Sequence, residues 1–439
     1  MENLLSRTVH SACSGNFFRT KRDGQRYPFQ NFRYTDAQNR SQFTLLRSPM
    51  QNDQNRPLPY FWSQPHQPFF VLGIVGSILF MLLFLLTYKG VLIPIIDPVA
   101  FHAYSLIFIV FTSFFQGFLL TTFPRFSQIP ELTEQLYLTN FTLMAAGSLL
   151  FLAGAFTTLW ILIPGVILLM LGQLYSFALF WQIYRASPVP DLHDQFWILM
   201  GFGAGIEANL LYGLYFLFKA QILFTFANLS GVYLFLIITS FAVAQRMIPF
   251  FSHIMIERNN RLLPTLFALF LLKVLFDSFG LKVGFLFTLT AGILLAREIY
   301  FRWKIPFAKG VPILWILHLS LYWLPAALIV GSVSEIAELI FAKDFLFLQI
   351  HLIVLGFLTT VLIGFGTRVT LGHSGNLMQI NSYTKFLFYL TQIVVYFRGL
   401  YSLGGWSMVF DITVALWLLL FILWSVRYLP VLVTGKRLK

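Results

Sequence analysis

An all-α, polytopic membrane protein of about twelve transmembrane helices, with both termini cytosolic, is the fold class this chain predicts. Three observations carry that expectation. Of 439 residues, 58% are hydrophobic and only 11% charged, far from the quarter or so of charged residues in a soluble domain. Apolar stretches of span length recur twelve times, and basic residues gather on alternate connections. Fifty-one phenylalanines and a mean hydropathy of +0.75 agree.

Residues 1–60 carry nine Lys or Arg, four acids and no apolar run long enough for a signal peptide. This basic leader reads as a disordered cytosolic tail, or as translated sequence upstream of a true start at Met50. Residues 61–439 form the twelve-span domain. Each span is near the ~20 residues that cross about 30 Å of hydrocarbon. The spans fall at about 69–88, 100–121, 137–157, 160–184, 196–218, 222–244, 263–280, 283–301, 312–333, 345–367, 386–404 and 409–429. Lys273, Asp277 and Lys282 interrupt the seventh and eighth.

With the N-terminus inside, the cytosolic face past the leader collects fifteen basic residues, from Arg125 to Lys439. The other face holds Lys89, Lys219, Lys282 and Lys343. Cytosolic loops of membrane proteins carry such an excess, so the charge of +13 is accounted for by topology and asks for no nucleic acid. The expected partner is the lipid of the inner (cytoplasmic) membrane. The single cysteine, Cys13, allows no disulfide framework or Cys-ligated cluster within this chain, and no C-x-x-C-H for covalent haem attachment is present.

Polar residues at membrane depth are the candidate functional groups, because an imidazole or charge in hydrocarbon needs a partner. Counting about 1.5 Å of rise per residue, Glu207, Lys273 and Arg398 sit near mid-bilayer. His318 lies slightly inward, His351 about 7 Å outward, and His102 near the outer end of the second span. Lys273 and Asp277, four apart on one helix, suit a self-neutralising pair. Glu207 is either a neutral, hydrogen-bonded acid or a proton-pathway residue, and Arg398 has Asp411 or Glu207 as possible partners. One membrane histidine usually hydrogen-bonds a neighbouring helix. Three of them favour metal ligation, since imidazole suits haem iron and copper. If His318 and His351 served one iron, their difference in depth, roughly 13 Å, would have to close.

Other patterns read as structure. Gly201-x-Gly203-x-Gly205 lies inside an apolar helix and suits close helix packing better than a dinucleotide loop. The scattered methionines read as packing. His10, His66, His193 and His253 read as surface residues.

Three stretches resemble the NnrS family of haem- and copper-containing membrane proteins linked to nitric oxide stress. They are F-H-A-Y-S-L-I-F at 101–108 leading into G-F-L-L-T-T-F-P-R-F at 117–126, Q-R-M-I-P-F-F at 245–251, and I-H-L…G-T-R-V-T-L-G-H-S-G at 350–375. The segment L-H-L-S-L-Y-W-L at 317–324 is similar to a further family pattern. The resemblance implies a twelve-span protein that binds haem, with copper reported for the family, and that lessens nitrosative damage. It implies His102, His318 and His351 as metal ligands, and Arg246, Arg368 and His373 as further cofactor-binding residues. The chain departs from the family's H-x-H-E pattern at Tyr104 and Ser105, so a copper set using both histidines cannot form there. Tyrosine ligation of ferric iron is a reserve reading.

The arginines at the cytosolic helix ends offer charge-assisted forks to haem propionates, or are ordinary positive-inside residues. An outer-half haem with His351 as principal ligand is the reading that best fits the topology. Nitric oxide is the expected small-molecule ligand, and whether the chain turns it over is left open. The alternatives are a secondary transporter with a mid-membrane site around Glu207, Lys273 and Asp277, and an assembly factor for a metalloenzyme.

Overall fold

A computed structural model describes residues 59–307 and 310–438; the expectations for the leader lie outside the described residues but for its last two positions. Twelve helices follow a short 3-10 turn at Tyr60–Trp62. They are α1 (His66–Tyr88), α2 (Pro98–Phe126), α3 (Glu134–Ala155), α4 (Leu159–Ala186), α5 (His193–Phe218), α6 (Gln221–Phe251), α7 (Leu262–Ser278), α8 (285–303), α9 (Pro312–Phe341), α10 (Leu348–His373), α11 (Ser382–Gly404) and α12 (Ser407–Thr434). Ten are long and apolar enough to cross a bilayer. The two that are not, α7 and α8, are those the sequence marks as interrupted: α7 has 17 residues, and α8 ends in Arg297, Glu298 and Arg302. The chain is an all-helical, multi-spanning membrane protein, the form in which every backbone polar group finds its partner within its own segment.

Nine helices close a ring around three. The burial of each span's most apolar window is 94% in α2, 83% in α10 and 67% in α6, against 39–61% in the other seven that qualify as spans. The ring shuts where Trp417 of α12 donates from Nε1 to the Ser77 carbonyl of α1 at 3.0 Å. Around it, Asn209 of α5 bonds Gln173 of α4, Thr288 of α8 meets Ser332 of α9, and Trp323 of α9 donates to Gln392 of α11. The inner helices are thus the second of each successive group of four.

All three inner helices widen into a π-helical stretch: Ser105–Phe111 in α2, Ser230–Ile237 in α6 and Leu352–Thr359 in α10. Such turns are rare and gather at functional sites. Asp97 caps α2, accepting at 2.9 Å from both Val99 and Ala100, with Pro98 at the first helical position. His102 is thereby set on the first full turn inside the membrane. The glycines of α5 act as packing sites, as expected: a Cβ on Gly205 would meet the Phe235 ring of α6 at 2.8 Å.

Candidate functional site

The π-helical stretches of α2, α6 and α10 line one cavity of about 430 Å³ in the half of the bundle away from the basic end. Leu106, Ile107 and Phe111 come from α2, Val232 and Leu236 from α6, and Val354 and Leu355 from α10. Its walls are apolar except for His102, His351, Arg398, Asn228, Thr413 and the Tyr88 and Tyr401 hydroxyls. Lys89 pairs with Asp411 at 2.7 Å, and the two hydroxyls lie 3.4 Å apart, which fastens α1, α11 and α12 together at this end.

His102 and His351 face one another. Their ring centroids are 6.4 Å apart and their planes differ by 12°. The two rings are held unequally. His351 Nδ1 lies 2.9 Å from the Phe347 carbonyl and 2.9 Å from an Arg398 amino nitrogen. A guanidinium can only donate and a carbonyl can only accept, so one nitrogen cannot satisfy both at once. The carbonyl contact is the one that leaves Nε2 unprotonated, the pattern found in metal-bound imidazoles. The His102 ring has no hydrogen bond among the described residues and rests instead on the Phe84 ring, 4.2 Å between centroids.

Arg398, noted in the sequence as a polar residue at membrane depth but not among the expected cofactor-binding residues, lines the cavity. It is 8% exposed and bonds the Leu346 carbonyl at 2.8 Å and the Ser402 hydroxyl, with Tyr401 beneath its guanidinium. Neither expected partner meets it: Asp411 is taken by Lys89, and no carboxylate among the described residues forms an ion pair with Arg398. A buried cation without a counter-ion, on the wall of a cavity, was not legible because the sequence offered two acids at compatible depth.

The remaining candidates lie elsewhere. His318 accepts or donates at Nε2 with the Ser252 hydroxyl at 2.7 Å, beyond the end of α6, and does not line the cavity. Arg246 pairs with Asp194 at 3.3 Å and covers the Phe126 ring that ends α2. Arg368 lies 3.7 Å over the Phe251 ring that ends α6. Each of these arginines thus grips the end of the preceding inner helix. His373 faces His66, with ring centroids 4.7 Å apart. His66 corrects the expectation of a surface ring: it is 1% exposed, because Gly117 lets α2 approach the first turn of α1 closely. Tyr104 turns away from His102 and gives its hydroxyl to Asn209 of α5 at 3.0 Å.

A second, polar cavity of about 520 Å³ adjoins the first, sharing Asn228, Phe347 and Ile350 as walls. It contains Lys273 in ion pairs with Asp277 at 2.8 Å and Glu335 at 2.6 Å. The expected pair of Lys273 and Asp277 is present, and Glu335 joins it from α9. Glu207, the third residue of the transporter reading, is not in its lining. Among the described residues no three His, Cys, Asp or Glu side chains converge on one point.

No curated protein matches the chain. The model of the family described as NnrS protein matches residues 60–436, nearly the whole chain, and on that match the protein belongs to the NnrS family.

Proposed function

We propose that the chain is a haem-binding protein of the cytoplasmic membrane that takes part in the response to nitric oxide, with the haem in the cavity between α2, α6 and α10. The observation that carries this reading is the pairing of His102 with His351. Both rings line the same cavity, with centroids 6.4 Å apart and planes 12° apart, and imidazole is a ligand type that haem iron takes, so these two residues would hold the iron. The apolar walls suit a porphyrin face, and a cavity of this size is in the range of cofactor sites. Arg398 suits a propionate, since a guanidinium fork matches a carboxylate.

A bound haem would supply an iron that binds nitric oxide; the chain's own residues set how. His351, tied through Nδ1, would be the more firmly held ligand. His102, whose ring rests on Phe84, would be the more weakly held of the two and would flank the place where a diatomic gas could bind. The walls keep water from the site, and an apolar gas enters directly from lipid. Copper at the second position of the family's histidine pair is not supported, because Tyr104 is engaged with Asn209. Arg246 and Arg368 serve as helix-end grips at the basic end, which on the charge asymmetry is cytosolic.

The test is an optical titration of detergent-purified, haem-supplemented protein with nitric oxide. A Soret band that shifts on addition supports the reading. A haem-loaded protein whose spectrum ignores the gas removes nitric oxide as ligand. The polar cavity around Lys273 keeps a transport reading in play; substrate-dependent uptake into liposomes by haem-free protein would favour it.

A further inference from the structure

We propose that the basic ends of α7 and α8 form a site for the phosphate headgroup of an anionic phospholipid of the cytosolic leaflet. The site is at the other end of the bundle from the His102–His351 cavity and does not rest on the haem reading.

A cavity of about 690 Å³ lies between the start of α7 and the last turns of α8, a volume in the range of small-molecule sites. Four arginines line it: Arg258 and Arg261 at the entry to α7, Arg297 and Arg302 at the end of α8. Glu298 is the one carboxylate in the lining. Cytosolic connections collect basic residues in general, but that rule does not gather four guanidinium groups on one cavity.

Their partners decide the case. Arg258 is fully engaged, bonding Asp191 at 2.6 Å, Asp194 at 3.0 Å and the Asn260 side chain at 2.8 Å. Arg302 donates to Glu298 and to the Glu257 carbonyl, each at 2.8 Å. Glu298 is spent as well. One of its oxygens accepts from Arg302 and from Trp303 Nε1, and the other from Asn259 at 3.2 Å. The guanidinium groups of Arg261 and Arg297 have no hydrogen bond or ion pair among the described residues. Two positive charges are therefore left uncompensated on the cavity wall, and the frame that carries them is fixed. Asn259 accepts from the Arg261 backbone at 3.2 Å while its amide reaches Glu298 on α8. A phosphate supplies the missing charge, and two arginines offer it charge-assisted bonds.

The surroundings favour a lipid over free phosphate. Leu262, Leu294 and Phe301 complete the wall, and Phe301 is 76% exposed. A free ion gains nothing from an apolar wall, whereas a lipid lays its glycerol and acyl chains along it. Depth agrees. The 17 residues of α7 span roughly 26 Å, short of the ~30 Å of hydrocarbon, so headgroups are drawn inward at this hairpin. Basic pockets between helices on the cytosolic side are where acidic lipid headgroups bind. A lipid held here would anchor the two helices least able to hold themselves in the bilayer.

The experiment is a melting-temperature titration of the full-length protein in detergent with short-chain phosphatidylglycerol, short-chain phosphatidylcholine and inorganic phosphate in turn. The expected result is a saturable rise with phosphatidylglycerol and none with the other two. Arg261→Gln with Arg297→Gln should weaken that response roughly tenfold or more and leave the haem spectrum unchanged. Arg185→Gln with Lys385→Gln, which removes the same charge elsewhere at the basic end, should respond like the parent. An equal rise with inorganic phosphate overturns the lipid assignment in favour of a free anion, and an equal rise with phosphatidylcholine overturns its dependence on charge. No rise with phosphatidylglycerol, or an equal loss in the control pair, overturns the site itself. Should the double variant fail to fold, Arg297→Gln alone, at an exposed side chain, gives the same comparison.

Discussion

His351 shares its Nδ1 between the Phe347 carbonyl and the Arg398 guanidinium, each at 2.9 Å, and only one of these contacts leaves the opposite nitrogen free for a metal. A carboxylate ligand arriving in the cavity offers Arg398 a better acceptor than the ring. That would free Nδ1–H to donate to Phe347, as metal-bound imidazoles do. On the proposed reading, cofactor binding and the histidine tautomer would be coupled in this way.

Arg398→Leu should therefore lower haem affinity by about 10–100-fold, the usual effect of removing a group that supports a metal ligand. Arg398→Lys should recover part of it, since charge returns but the bidentate fork does not. Haem retention through gel filtration, followed by absorbance, measures both. Equal retention in all three proteins would take Arg398 out of the site.

His318→Ala should leave the haem spectrum and stoichiometry unchanged, because the ring bonds Ser252 through Nε2 and does not line the cavity. A lost or shifted Soret band in this variant would show a haem at the basic end instead.

Much of this was legible in the sequence, and the failures have physical causes. The twelve helix centres follow from apolar run length, and the weakness of α7 and α8 from Lys273, Asp277 and the charged end of α8. Depth counting brought His102 and His351 together and set His318 apart, since depth follows directly from helical rise. What depth cannot give is azimuth. Glu335 joining Lys273, Lys89 displacing Arg398 from Asp411, and His66 turning inward to His373 all depend on which way a side chain points around its helix. Position next to the membrane made His66 look exposed; only the close approach allowed by Gly117 hides it.

Removing Lys273 should destabilise the protein by about 3 kcal/mol, toward the low end for breaking a buried pair. The moderation comes from Asp277 and Glu335, whose side chains keep 24% and 27% exposure. Lys273→Met should lower the melting temperature in detergent, and adding Glu335→Gln should restore part of the loss. An unchanged melting temperature in Lys273→Met would show that the cluster is not holding α7 to α9.

At the basic end, Arg258 bonds Asp191 through both carboxylate oxygens, at 2.7 and 2.6 Å. Partial burial works against the Asp191 carboxylate, but the Arg258 hydrogen bonds outweigh it and hold the group below its usual range. A carboxylate lowered in the folded state lends stability that is fully present above its ordinary value and lost as the pH falls through the lowered one. Stability should drop on acidification below about pH 4, and Asp191→Asn should flatten that part of the profile. Melting temperature followed against pH checks this; identical profiles would dismiss the contact as a contributor.

The most direct test of the account is the haem-to-protein ratio of the purified full-length chain, made with ample haem, beside its His351→Ala variant. The account predicts one haem per chain in the parent and none retained by a folded, membrane-inserted His351→Ala protein. A colourless parent, or a variant that keeps its haem, would contradict it.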